Sequence, residues 1–196
     1  YRAFDTFGEL VVIFTAGIGV LALLSVAHSP KSDAKTDSLN GMLREQHLIM
    51  RIVSKMLIPF ILLFALYIQF HGDYGPGGGF QAGVIFASAV ILYTMLFGLR
   101  SARGVMSRTV IELIAAIGVL IYGSVGFVSL LNGGNFFDYS VLSADHIVAQ
   151  HLGILIIELG VGCTVASVIV IIFFNFAARK KDQQSSQGNE KVKEKV

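Results

Sequence analysis

Tryptophan is absent from this 196-residue chain, and cysteine and proline are scarce, with one and three copies. The lone Cys163 sits inside an apolar run, so no disulfide can form within the chain and no thiol cluster can hold a metal. It reads as a small packing residue. The histidines His28, His47, His71, His146 and His151 do not fall at metal-ligand spacing, and no Ser/His/Asp or Cys/His arrangement stands out. The sequence therefore offers no metal site, no cofactor site and no catalytic constellation, and an enzyme is not expected. Charge is scarce too. Only 14% of residues are charged against 54% hydrophobic, where a soluble domain carries about 25% charged. The charges lie in short blocks between long uncharged stretches, which is the pattern of a polytopic membrane protein. The net charge of +2 does not point to nucleic acid, because the basic residues fall where cytoplasmic loops would lie.

Five apolar runs are long enough to approach the ~20 residues of a membrane-crossing helix. They are Phe7–Ala27, Ile49–Phe70, Phe80–Leu99, Val110–Leu131 and Ile147–Phe176. The second and third are joined by a turn made almost entirely of glycine and proline, with Gly72, Gly75, Pro76, Gly77, Gly78 and Gly79. These two runs form a predicted transmembrane hairpin around which the others pack. Pro59 is expected to kink the second run. The last stretch, residues 179–196, is polar and without aromatics, and composition predicts a disordered tail. Lys31, Lys35, Arg44, Arg51 and Lys55 fall in or beside the first connection, Arg100, Arg103 and Arg108 in the third, and Arg179, Lys180 and Lys181 at the end. The second and fourth connections carry none. This alternation places the N-terminus outside and the C-terminus in the cytoplasm. The chain begins at Tyr1 with neither Met nor a basic leader and cleavage site, so the expectation is a trimmed end of something longer.

Small residues forecast how the helices meet. Gly79, Gly83 and Ala87 recur every four residues and give the third run a face that a neighbouring backbone can approach. Gly8, Val12, Ala16 and Val20 make a weaker stripe on the first run. Gly160 with Thr164, and Cys163 with Ser167, do the same on the last.

An ionisable group in mid-membrane costs roughly 2.5 kcal/mol or more on insertion scales, which makes each one a functional candidate. Glu158 is the foremost, with apolar sequence on both sides. Burial disfavours its charged form unless a cation or hydrogen bond answers it. Such a carboxyl can exchange a proton or ligate sodium through oxygen; the alternative is a structural carboxyl bonded to a neighbouring helix. His151, seven residues earlier, is a relay candidate on the same face. Glu112 is a path candidate too, although a link to Arg108 one turn back accounts for it equally. Asp5 and Glu9, one turn apart, can gather cations or simply favour a helix N-terminus. Lys55 either pairs with a carboxylate or reaches the headgroups. His71 and Asp73, in the glycine turn, are candidates for an ion exit. The turn is not a phosphate loop, since no Gly-Lys-Ser/Thr follows it.

The stretch FALYIQFHGDYGPGGGFQAGVIFA resembles the signature of the B subunit of Mrp-type multisubunit sodium/proton antiporters, the MnhB/MrpB family. The likeness rests on His71, Gly72, Pro76, Gly77, Gly78, Gly79, Phe80 and Gly83, and on Glu158, Leu159, Gly160 and Val161 late in the chain. Ahead of it, YRAFDTFGELVV resembles the RGFDTLGE segment near the end of the antiporter A subunit, or the E-type subunit of related hydrogenases. Ala3 and Phe7 depart from that pattern, whereas Arg2, Phe4, Asp5, Thr6, Gly8 and Glu9 keep it. The resemblance implies an all-α membrane subunit: a single helix over residues 1–30 joined to a four-helix module over 41–178. It further implies a prokaryotic cell membrane, other antiporter subunits and the bilayer as partners, and Na+ and H+ as the ions moved. Two other roles stay open on the residues alone, a scaffold subunit and a membrane-arm subunit of a complex I-related hydrogenase.

Overall fold

A computed structural model describes residues 2–26, 48–72, 77–143 and 145–193, with side chains placed for most of these. All the long elements are helices: α1 (Arg2–Val26), α2 (Leu48–His71), α3 (Gly79–Phe97), α4 (Leu99–Val105), α5 (Arg108–Leu131) and α6 (His146–Lys193). Among the described residues there is no strand. Five of the six, all but the short α4, contain stretches long and apolar enough to cross a membrane. The expected all-α, five-span architecture is therefore what the chain adopts.

Local chemistry sets the boundaries. Gly78 precedes α3 at φ 137° and Gly98 follows it at φ 85°, a region side-chain-bearing residues rarely enter. Helix α4 follows the break at Gly98 and, apart from Leu99, falls in the basic connection expected between the third and fourth runs. Ser107 caps α5 by accepting from the Val110 N–H at 3.4 Å. Asp145 accepts from the Ile147 N–H at 2.9 Å and opens α6. Helix α2 runs through Pro59, which supplies no N–H to the Lys55 carbonyl. The polar tail differs from the unstructured stretch that composition predicts: the α6 backbone stays helical to Lys193. Its Lys, Gln and Glu content carries little helix penalty. The connection that holds Lys31, Lys35 and Arg44 lies outside the described residues.

Helix α6 is the hub. Helix α3 lies on one side of it and α5 on another; α1 rests against α5 and α6, and α2 reaches the bundle mainly through α3. The forecast faces of α3 and α6 are indeed turned inward: Gly79, Gly83 and Ala87 are buried against α6, and Gly160 and Thr164 against α5. A β-carbon placed on Gly118 would lie 2.6 Å from the Gly160 carbonyl oxygen, and one on Gly160 would lie 2.7 Å from that of Gly118. Thr164, fully buried, donates its hydroxyl to the Ala115 carbonyl at 3.2 Å across the same seam. The stripe forecast on α1 does not meet the rest of the chain. Nothing lies within 4 Å of a β-carbon on Gly8, and Val12 and Ala16 are exposed. Helix α1 docks instead through Leu10 and Gly17, where a β-carbon would lie 3.1 Å from the Val168 side chain. Periodicity alone does not separate these faces, since every side of α1 is apolar.

The connection between α5 and α6 folds over one end of the bundle. Phe136 covers Gly126, and Phe137, at φ 65°, joins Phe4, Phe7 and Tyr122 in an aromatic cluster. The Tyr122 hydroxyl donates to the Ala3 carbonyl at 2.8 Å and ties α1 to α5. Within this connection the hydroxyl and N–H of Ser140 hold the Asp138 carboxyl below the ordinary aspartate range.

Two outcomes follow. Gly118→Ala should cost about 1–3 kcal/mol in a denaturation experiment, because the seam is already at backbone contact, whereas Gly8→Ala should change stability by less than about 0.5 kcal/mol. The stability that Asp138 contributes should be full above the ordinary aspartate pKa of ~3.9 and be lost as pH falls through its depressed folded value. A carboxyl NMR titration of Ser140→Ala should find the Asp138 pKa moved up toward that ordinary value.

Candidate functional site

The turn between α2 and α3 is pressed onto α6 at Glu158. A β-carbon on Gly79 would collide with the Glu158 carbonyl oxygen and lie 3.0 Å from the Gly162 nitrogen. One turn on, a β-carbon on Gly83 would lie 2.8 Å from the Gly162 carbonyl. The first turns of α3 thus run backbone to backbone along α6, and a methyl group at either position would force the helices apart.

That approach delivers the Glu158 carboxyl into the turn. A β-carbon on Gly72 would lie 2.7 Å from Glu158 Oε2 and 3.1 Å from Oε1, and one on Gly78 would lie 3.1 Å from Oε1. Both ends of the turn therefore present bare Cα atoms to the carboxylate. Gly77 faces the other way, its β-position 3.1 Å from the Ile68 carbonyl. Two side-chain amides flank the place. Gln81 Oε1 lies 3.5 Å from the β-position of Gly78, and Gln69 Oε1 lies 2.6 Å from that of Gly162. Glu158 is half-buried and engaged by its surroundings.

The backbone adds a field. The Ala82 N–H makes its helical bond to the Gly78 carbonyl at 3.1 Å, so the N–H groups of Gly79, Phe80 and Gln81 precede the regular ladder. A carboxylate beside this end of α3 meets the positive end of the helix dipole. The arrangement can hold a negative charge within a membrane span, and its oxygens can take up a proton or a hard cation.

The remaining candidates are dispersed. His71 directly precedes Gly72, is exposed, and stacks on Tyr67 with ring centroids 5.0 Å apart. His151 is exposed on α6, two turns before Glu158. Asp5 and Glu9 are exposed on α1, near the aromatic cluster at that end. Glu112 pairs with Arg108 at 2.7 Å on the rim of α5. Lys55 lies over the Phe97 ring, 5.4 Å from its centroid, at the opposite end of the hairpin from the turn. Asp73 and Pro76 lie outside the described residues. Among the described residues no group of three or more His, Cys, Asp or Glu could hold a metal ion. Gln69 and Gln81 went unnoticed in the sequence. Uncharged amides inside apolar runs were the available signal, and their spacing to Glu158 is not readable across so much intervening chain.

Comparison with known proteins adds an independent line. Residues 49–171 match the family described as the domain related to the MnhB subunit of Na+/H+ antiporter. The antiporter subunit mnhB2 of Staphylococcus haemolyticus is 29% identical over 145 residues, covering 70% of this chain and 99% of that one. Its counterpart in Staphylococcus aureus strain Newman is 29% identical over 140 residues, with 69% and 97% covered. Among solved structures, a chain of the Mrp complex from Dietzia sp. DQ12-45-1b matches with a TM-score of 0.69 and 27% identity over 90% of this chain. This chain spans only 20% of that one. A chain of the membrane-bound sulfane sulfur reductase, an archaeal respiratory membrane complex, matches with a TM-score of 0.69 and 29% identity, 90% and 74% being covered.

The contact between turn and helix predicts a graded pair of variants. Gly79→Ala must displace backbone and should lower stability by about 1–3 kcal/mol. Gly72→Ala meets the Glu158 carboxyl, which can shift, and the Gly78 Cα at 3.0 Å, which must give only slightly, so it should cost less than Gly79→Ala, about 1 kcal/mol, in the same thermal or denaturant melt.

Proposed function

We propose an ion-transporting role from the premise that this chain belongs to the family of MnhB-related subunits of Na+/H+ antiporters. It is a multi-pass subunit of a multisubunit sodium/proton antiporter in a prokaryotic cell membrane, and its partners are the other subunits of that assembly. Membership in this family marks a transporter component, and on this reading the work done on each cycle is ion movement.

Within that role, the lodging of the Glu158 carboxyl among Gly72 and Gly78 is the observation that carries the reading. The carboxylate is the ion-exchanging group. It is held against the N-terminal end of α3, where the charged form is supported by the helix dipole, and it alternates between a proton and a sodium ion. The bare glycines let either ion sit beside the oxygens without a methyl group in the way. The amides of Gln69 and Gln81 supply neutral oxygens nearby, of the kind a hard cation accepts. His71 and Asp73 stand on either side of Gly72 in the sequence, and with His151 they serve as steps toward one membrane face. Asp5 and Glu9 gather cations at the N-terminal end of α1. Glu112 and Lys55 belong to the rim: the first is neutralised by Arg108, and the second lies over an aromatic ring.

The distribution of Lys and Arg supports an outside N-terminus and a cytoplasmic C-terminus. On that reading the Gly72–Gly79 turn sits at the outer surface. Residues 1–30 represent an A- or E-type tail helix joined to the four-helix module of residues 41–178, with residues 179–196 extending into the cytoplasm.

A scaffold role is the second reading, and the close approach of Gly79 to the Glu158 backbone favours it, because the same residue whose carboxyl enters the turn also packs the hairpin onto α6 through its main chain. The likeness to the sulfane sulfur reductase chain supports a third setting, the membrane arm of a redox-driven complex, in which the same subunit would serve a different energy source.

Glu158→Gln keeps size and hydrogen bonding and removes the titratable charge. In everted vesicles that carry the assembled complex, this variant should exchange sodium for protons roughly 100-fold more slowly, the scale on which a lost proton-transfer carboxyl acts. The subunits should still co-purify. Wild-type exchange in an intact Glu158→Gln complex would falsify the ion-carrying role, and loss of assembly together with exchange would favour the scaffold.

A further inference from the structure

Among the described residues, two cations at the end of the hairpin opposite the glycine turn stand without a paired acid; Asp33, Asp37 and Glu45, ahead of α2, lie outside those residues. Arg51 and Lys55, one turn apart on α2, both lie over the ring of Phe97 at the end of α3, at 5.7 and 5.4 Å from its centroid. Neither has an ion-pair partner among the described residues. Arg100 and Arg103 follow on α4, both exposed. From Leu48 to Ser107 the only acid is Asp73, in the turn at the far end. Like charges at this spacing on a helix repel, and the shared aromatic face draws both to the same spot. An anion placed there would relieve the repulsion.

The surface around that corner says what kind of anion. Helix α2 spans the membrane from Met50 to His71, and among its described exposed residues there is no Gly, Ala, Ser or Thr. Its small side chains, Ser54 and Ala65, are turned inward and buried. Helix–helix contacts in membranes favour small residues. The outer face of α2 instead carries bulky side chains such as Met56, Phe60, Leu63 and Phe64, all exposed. It has the character of a surface for acyl chains, not for another helix. The cations stand at the level where this surface meets the headgroups, about one turn into the span.

We propose that Arg51, Lys55 and Phe97 form a binding site for an anionic phospholipid. Its phosphate lies between the two cations, and its acyl chains run down the bulky face of α2. Charge complementarity selects the headgroup, and the ring of Phe97 keeps both cations in place.

The assembled complex in phosphatidylcholine vesicles that contain a photoactivatable phosphatidylglycerol tests the site, with crosslinked peptides mapped by mass spectrometry. Label should appear on α2 near Arg51 and be displaced by unlabelled phosphatidylglycerol, but not by phosphatidylcholine or inorganic phosphate. Lys55→Gln, at an exposed position, should reduce labelling about fivefold, and Arg51→Gln combined with it should do so about fivefold again, the effect expected of one surface cation each. Arg103→Gln, on α4, should leave labelling at this position nearly unchanged. Wild-type labelling in Lys55→Gln, labelling equally displaced by phosphatidylcholine, or displacement by inorganic phosphate would each overturn the proposal. So would a neighbouring subunit that detaches when Lys55 is changed, since an acidic partner would then occupy the corner.

Discussion

Helix α6 is touched on two sides by the bare backbone of its neighbours, and that double contact governs the rest of the bundle. In a bilayer no hydrophobic force separates the inside of a helix bundle from its outside, so association relies on close packing and interhelical hydrogen bonds. Glycine permits both. Gly79 and Gly83 let α3 lie along α6, while Gly118 and Gly160 let α5 do so at the neighbouring face. The hydroxyl of Thr164 crosses the second seam to the Ala115 carbonyl. Once α6 is held in this way its rotation is fixed, and so is the direction in which Glu158 points.

That direction explains why the acid and the glycine turn belong to one feature. They are far apart in sequence, and each has a bland account of its own: a buried carboxyl, and a tight reversal of chain. Brought together, each removes the difficulty of the other. The turn lacks side chains where the carboxyl enters, and the carboxyl faces the N-terminal end of α3, where the N–H groups of the first turn lie outside the helical ladder. Gln69 and Gln81 complete a polar spot inside otherwise apolar spans. A charged residue is thereby made tolerable within an apolar helix by geometry that a single substitution at Gly72 or Gly78 would alter.

Much of this was legible in the residues. Five apolar runs, the hairpin and the inward faces of α3 and α6 were all readable from hydropathy and from small residues at four-residue spacing. What the sequence withheld was rotation. On α1, Gly8, Val12 and Ala16 make as plausible a stripe as Leu10 and Gly17, and the chain buries the second set. In water the polar face of a helix would decide the matter; in a span that is apolar all round it does not. The short helix α4 and the aromatic cap were missed for a different reason. Helix α4 is seven residues of a basic connection, too short and polar to carry an apolar period, and Phe136 and Phe137 sit in a connection where aromatic residues carry no periodic signal.

The two outer helices, α1 and α2, end up with unlike surfaces. Helix α1 is fastened at one end by the Tyr122 hydroxyl and the aromatic cluster and along its length by Leu10 and Gly17, yet Gly8, Ala16 and Gly19 remain open to approach from outside. Helix α2 turns its small residues in and its Phe, Leu and Met side chains out. If both surfaces faced lipid alone, packing would give no reason for small residues to gather on one of them and be missing from the other. Small residues mark the faces that other helices approach in a bilayer, and on α1 they stand among exposed Val12, Ile18 and Leu23. The glycine turn that receives the Glu158 carboxyl lies on the hairpin, where α6 forms one wall and α2 the other.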